Sequence, residues 1–514
     1  MRIYISGALV MTVLAGCGPK KQTGLSGMDY ARKAAIEATI DGIQADIMAG
    51  KMSCLDLVNA YIERIEAYNG RINAVTYKNY DQARKKARMV DNVIATHMQT
   101  SPLFCVPVLV KDNMDVEGFP TTAGSKAMLE NFPPDDAEVI QNLKGNGAII
   151  LAKTNMAEWA FSPKRTKSSS AGVTRNAYNI DHVPAGSSGG TASGTAASLA
   201  LVGLGTDTGN SVRGPSAHLS LVGMRSTHGL LSLDGIVPLV LSSDVVGPMT
   251  RTVTDNVLLF HAMGGPDYRK ALDKTALKGA RIGVVREEAD PKDMDEDMAE
   301  LFENALKDLQ AQGAVLVDPV EINDIRADID ARWGCRSFRK DVHEYLTAPG
   351  MKAPISDPYE AYEAGIYSPY TKGAWEYFRG GAIDVATRVD GTVCGDLEKD
   401  ELRQKIRRDL VEAMDKNHLD ALVYPSWRYP AALLSRAEED YKGDNSQDLA
   451  PPTGLPAITV PMGFVAGDLP GGLQFLGRAN AEGTLYGLAY AYEQATQHRR
   501  PPAGFPPVKK TGKK

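Results

Sequence analysis

Apolar positions along this chain change spacing in a way that alternates helices with strands. Over residues 54–68 and 80–94 they recur every three or four positions, which predicts two helices, each with one apolar face. The run VPVLV just before Lys111 is continuous instead of periodic and predicts a buried strand. A helix over 138–146 and a strand at AIILAK (148–153) follow. Residues 191–200, rich in Ala, Ser and Gly, suit a helix lying close on a sheet, and LVGLGT (201–206) returns as a strand. ARIGVV (280–285), a charged helix over 294–312 and AVLVDPV (314–320) repeat the pattern. The expected fold class is α/β, a central mixed β-sheet covered by helices on both sides, with no internal repeat.

Two glycine-rich turns interrupt the alternation and carry serines: PAGSSGG (184–190) and GTDTGNSVR (205–213). A serine hydroxyl is a weak nucleophile that needs a base for its proton and donors for the oxyanion formed in acyl transfer. Glycine-dense turns let successive backbone N–H groups converge without side-chain interference. Lys111 is a candidate base only if its surroundings neutralise it. At a reference pKa near 10.4 roughly 0.04% is neutral at pH 7, and a shift to about 7 costs on the order of 4–5 kcal/mol. Burial at the end of an apolar strand can supply that. Taken singly, each feature has a plainer role: a lysine at a strand end, a serine at a helix start, an aspartate bracing a turn through backbone bonds.

VKDN (110–113), TTAG (121–124), AKTNMAEWAF (152–161), the two serine turns, VVGPMTRTVTD (245–255), TGLPAITVPMGF (453–464) and GLQFLGR (472–478) stand in an order that resembles the amidase signature family of serine hydrolases. The resemblance implies Ser211 as nucleophile, Ser187, preceded by a cis peptide, as proton relay, and Lys111 as base. It assigns the amides of Thr208, Gly209, Asn210 and Ser211 to an oxyanion hole, and leaves Asp207 and Arg213 a structural role in the loop. It further implies one elaborated domain over 28–508, in which 268–448 varies and sets side-chain preference, an amide substrate (small molecule or peptide), no cofactor and no metal. Tyrosines of the middle segment, with Trp375 and Phe378, are candidates for an apolar pocket or for ordinary packing. Ala185 and Asn210 stand where the family often has glycine, and RGPSAH follows Ser211 where RxPAAF-like sequences are common. Asn210 keeps its N–H but adds a side chain that narrows or polarises the acyl pocket.

Other readings share these residues. Residues 186–190 also satisfy G-x-S-x-G, which makes Ser188 the nucleophile of an α/β-hydrolase elbow with His182, His218, His228 or His498 as base; the proline and turn signals before it argue against the required strand. A non-catalytic envelope binding protein and a subunit supplying ammonia to misacylated transfer RNA are further alternatives.

The first 17 residues carry Arg2, an apolar stretch over 3–13 and LAGC ending at Cys17, with residues 1–16 the expected signal peptide. The apolar run is too short to span a membrane and reads as a secretory signal. LAGC resembles a bacterial lipoprotein box, which implies cleavage before Cys17, lipid attachment to its thiol, and a place in the cell envelope on a bacterial membrane, the periplasmic face of the outer membrane in a Gram-negative cell. Residues 17–27 then form a tether and 509–514 a basic tail. The formal charge of −6 offers no basic footprint for nucleic acid. Cys54, Cys105, Cys335 and Cys394 form no CxxC pair, so a zinc site is unsupported; Cys335 with Cys394 is a candidate disulfide.

Overall fold

The computed structural model describes residues 26–509 apart from 97–99, 324, 332 and 333, so the expected signal segment and Cys17 lie outside the described residues. Among the described residues, eleven strands form one mixed sheet. Across it they run Val75–Lys78, Ile149–Thr154, Pro107–Lys111, Val202–Asp207, Val245–Thr250, Val222–Arg225, Ala457–Val465, Leu469–Leu476, Ala421–Pro425, Arg281–Val284 and Val315–Val317. Ile149–Thr154, Pro107–Lys111 and Val202–Asp207 are parallel neighbours, as are Ala421–Pro425, Arg281–Val284 and Val315–Val317. The strands between these two groups pair antiparallel. Helices flank the sheet, so Pro107–Lys111, Ile149–Thr154 and Val202–Asp207 are buried at every position. Strands covered on both faces read as continuous apolar runs, which is why VPVLV shows no alternation.

Local chemistry accounts for the helix ends. Cys54–Ile72 starts at a capping box in which Ser53 and Asp56 satisfy each other's backbone N–H groups. It runs past the expected stop at 68 and ends where Asn73 turns left-handed at φ 50°. The expected helix over 191–200 is shifted, forming Gly189–Ala196. All eight of its residues are buried, and a Cβ on Gly190 would sit 2.2 Å from the Asn155 carbonyl oxygen. Only glycine there lets the helix settle against the neighbouring backbone, with Ser187 and Ser188 at its head. The first described helix, Gly27–Ala34, is capped by Ser26 and so begins within the last residue of the expected tether.

The middle segment folds onto the body through aromatic rings. Helices Phe338–Leu346, Tyr359–Glu363 and Lys372–Phe378 bring Phe338, Trp375 and Phe378 against Trp159 and Phe161. Phe161 stacks on Phe378 with ring centroids 5.5 Å apart, one of several contacts each worth about 0.5–1.5 kcal/mol beyond burial. Cys335 and Cys394 are bonded, closing a loop that contains all three helices. Cys54 and Cys105 form a second disulfide that nothing in the sequence pattern singles out.

Candidate active site

Lys111 ends its buried strand with no exposed surface, and its Nζ lies 2.7 Å from Ser187 Oγ, 2.7 Å from Thr206 Oγ1 and 3.4 Å from the Thr206 carbonyl oxygen. Ser187 follows a cis peptide bond from Gly186. A neutral amine has two N–H groups and one lone pair. As an ammonium Nζ can donate to all three of these oxygens; once neutral, it has a lone pair to accept one hydroxyl proton. Burial pulls the Lys111 ammonium down to about 7, against the opposing carboxylates of Asp244 and Asp207. Asn113 Nδ2 holds Thr206 Oγ1 from the other side at 3.1 Å.

Strand Val202–Asp207 runs directly into the second serine turn, and Asp207 shapes that turn. Its carboxylate accepts the backbone N–H groups of Val212 and Arg213 and is paired with the Arg213 and Arg225 guanidinium groups at 3.1 and 2.9 Å, all without exposure. Burial alone raises this carboxyl, but the two arginines outweigh it and hold the pKa at about 2. Asp207→Asn, which leaves two buried cations short of their partner, is expected to destabilise the fold by about 3–5 kcal/mol. Urea denaturation measures this, and a loss below about 1 kcal/mol would contradict the bracing role.

Because Val212 and Arg213 spend their N–H groups on Asp207, the turn before them is left open. The N–H groups of Thr208, Gly209, Asn210 and Ser211 make no hydrogen bond among the described residues. All four residues line a cavity of about 300 Å³, lined also by Phe161, Leu239, Val240, Tyr377 and Phe378 and by the charged Arg388, Asp400 and Arg403. Tyr377 and Phe378 of the middle segment thus reach the cavity. Trp375 does not; it is wholly buried in the aromatic cluster.

Ser211 Oγ donates to Asn210 Oδ1 at 3.3 Å, and no hydrogen bond joins it to Ser187 among the described residues. The structure thus joins Lys111 to Ser187 and turns Ser211 to its neighbour. Ser188, the elbow candidate, is fully buried and donates to the Thr206 carbonyl at 3.2 Å. Residues 174–186 before it contain no strand. His218 packs on Trp427, His228 bonds the Leu241 carbonyl and His498 pairs with Asp308; neither these nor His182 bonds Ser188. Ser188→Ala is accordingly expected to change kcat/KM less than about tenfold, the worth of one neutral hydrogen bond. A loss above a thousandfold in steady-state hydrolysis would restore the elbow reading.

Sequence reasoning missed Thr206, Arg225, Asp244 and Asp444. Thr206 had a signal: it directly precedes Asp207 on the strand entering the turn. Asp444 had none, since it meets Asn210 across 234 residues. Burial, with the Asp448 carboxylate nearby, pushes the Asp444 carboxyl well above its ordinary range. Among the described residues no cluster of His, Cys, Asp and Glu side chains forms a metal site.

The mixed sheet sets a buried lysine against one serine turn and opens the other turn on a cavity with an aromatic wall, and comparison with known proteins identifies the class. The Amidase family model matches residues 56–486. A glutamyl-tRNA(Gln) amidotransferase subunit from Moorella thermoacetica is 35% identical, the alignment covering 88% of this chain and 95% of that protein. The corresponding protein from Desulforudis audaxviator is 33% identical with the same coverage. Native peptide amidase from Stenotrophomonas maltophilia superposes with a TM-score of 0.78 at 33% identity, over 91% of this chain and 98% of its own. The chain belongs to the amidase family and is a hydrolase of amide C–N bonds.

Proposed function

We propose that this amidase works through an acyl-enzyme on Ser211 with a Ser187–Lys111 proton relay. Ser211 Oγ attacks the amide carbonyl carbon as its proton passes to Ser187, whose own proton passes to neutral Lys111. The N–H groups of Thr208, Gly209, Asn210 and Ser211 receive the oxyanion. Collapse breaks the C–N bond, and Lys111 returns the proton through Ser187 to the leaving nitrogen. Water then cleaves the ester by the same path. The observation that carries this reading is the 2.7 Å contact between a fully buried Lys111 and Ser187, with an amine brought to about 7 by burial. A base with a pKa near the working pH combines a populated basic form with useful driving force.

The aromatic wall favours amides with an apolar or aromatic group beside the scissile bond, peptide amides included. The test is hydrolysis across aliphatic, aryl and peptidyl amides. Expected is turnover highest for aromatic members. Absence of both turnover and fluorophosphonate labelling, under conditions where a related hydrolase reacts, would favour a binding protein on this scaffold.

We further propose export and anchoring at the cell envelope by lipid on Cys17. Supporting this are LAGC and two disulfides, which persist in oxidising compartments. No described helix is long and apolar enough to cross a membrane. Metabolic labelling with a fatty-acid analogue is expected to mark the protein, and Cys17→Ser to abolish both label and membrane association. A Cys17→Ser protein still cleaved after Gly16 and membrane-bound at high salt would overturn the anchor.

A further inference from the structure

Asn210 carries a side chain that links Ser211 to a buried acid far away in the chain. Its Nδ2 donates to Asp444 Oδ2 at 2.9 Å, and its Oδ1 accepts the Ser211 hydroxyl. Asp444 Oδ2 also accepts Tyr441 Oη at 3.1 Å and Gln447 Nε2 at 2.9 Å. The Tyr441 and Gln447 donors, which do not depend on Asn210, mark Oδ2 as an acceptor oxygen of the Asp444 carboxyl. The Asn210 amide must therefore present its NH₂ end to Asp444 and its carbonyl end to Ser211. Flipping it would set two acceptors against each other in a buried site, a costly arrangement. The consequence is a competitor for the nucleophile's proton: while Oδ1 holds it, Ser211 is not bonded to Ser187.

A bound substrate can relieve this. The N–H of a scissile amide is one bond from the carbon that Ser211 attacks, within reach of an oxygen already 3.3 Å from Oγ. Donation from that N–H to Oδ1 frees the serine. An ester or an N,N-dialkyl amide has no hydrogen to offer.

We propose that Asn210, oriented by Asp444, is a positioning residue that turns the Ser211 hydroxyl away from Ser187 until a substrate N–H replaces it, so that the site selects amides bearing an N–H over matched esters. This rests on Ser211 being the nucleophile.

The experiment compares kcat/KM for an amide and an ester of the same acyl group in the wild type, Asn210→Ala, Asp444→Ala and the double variant, with fluorophosphonate labelling of each. Asn210→Ala keeps the backbone N–H and removes the competing acceptor together with the donor to Asp444. Its ester-to-amide ratio is expected to rise about threefold to tenfold, the worth of one neutral hydrogen bond, and its labelling rate to rise alike. Asp444→Ala should move the ratio the same way and have no further effect on it in the Asn210→Ala background, because Asp444 acts through Asn210. Equal changes for ester and amide, or an Asp444→Ala effect on the ratio that persists without Asn210, would overturn the proposal. Labelling of the wild type at a serine other than Ser211 would remove the nucleophile assignment and this proposal with it.

Discussion

Ser211→Ala is expected to lower kcat/KM for amide hydrolysis by about five orders of magnitude or more, because no other group in the site replaces the bond it makes to the acyl carbon. The fold should be intact. Ser211 is buried, and among the described residues its hydroxyl makes a single 3.3 Å bond, to Asn210, so it braces nothing. Steady-state hydrolysis by purified protein, with circular dichroism as the folding control, measures this. Activity above about 1% of wild type would mean the acyl group is carried elsewhere.

Lys111→Ala is expected to cost about three to four orders of magnitude, near the upper end for loss of a general base. Lys111→Arg should not rescue, since guanidinium stays protonated across the working range. The wild type supplies an independent readout. With the amine brought to about 7, its basic fraction grows as pH rises, so kcat/KM should climb about tenfold between pH 6 and 8 and then level off. The sign follows from role: a base works deprotonated, so activity is lost on the acid side. A profile flat from pH 6 to 8, or an active Lys111→Arg enzyme, would exclude the proposed proton path.

Much of the scaffold was legible because burial writes a pattern into sequence. VPVLV, AIILAK and LVGLGT are continuous apolar runs and became strands buried on both faces. Helix limits were less so. The stop after Ile72 depends on Asn73 adopting a left-handed conformation, and the close seating of Gly189–Ala196 depends on a backbone neighbour at Asn155. Lys111, Ser187 and the 208–211 turn were visible as local motifs, and the structure brings Lys111 to Ser187 across 76 residues. The partners that tune them were not. Arg225 reaches Asp207 across 18 residues and Asp444 reaches Asn210 across 234. Such contacts are made by the sheet order and by the return of the C-terminal strands, which no window of the sequence contains. The Cys54–Cys105 bond is hidden for the same reason, its halves lying at a helix start and in a loop 51 residues apart.

The central claim is that one particular serine of two turns carries the acyl group. Mass spectrometry of a fluorophosphonate-treated digest tests it without knowledge of the natural substrate, since the reagent marks an activated serine directly. The adduct is expected on the peptide containing Ser211, absent from Ser211→Ala and strongly slowed in Ser187→Ala. An adduct on Ser188, retained when Ser211 is alanine, would contradict the account.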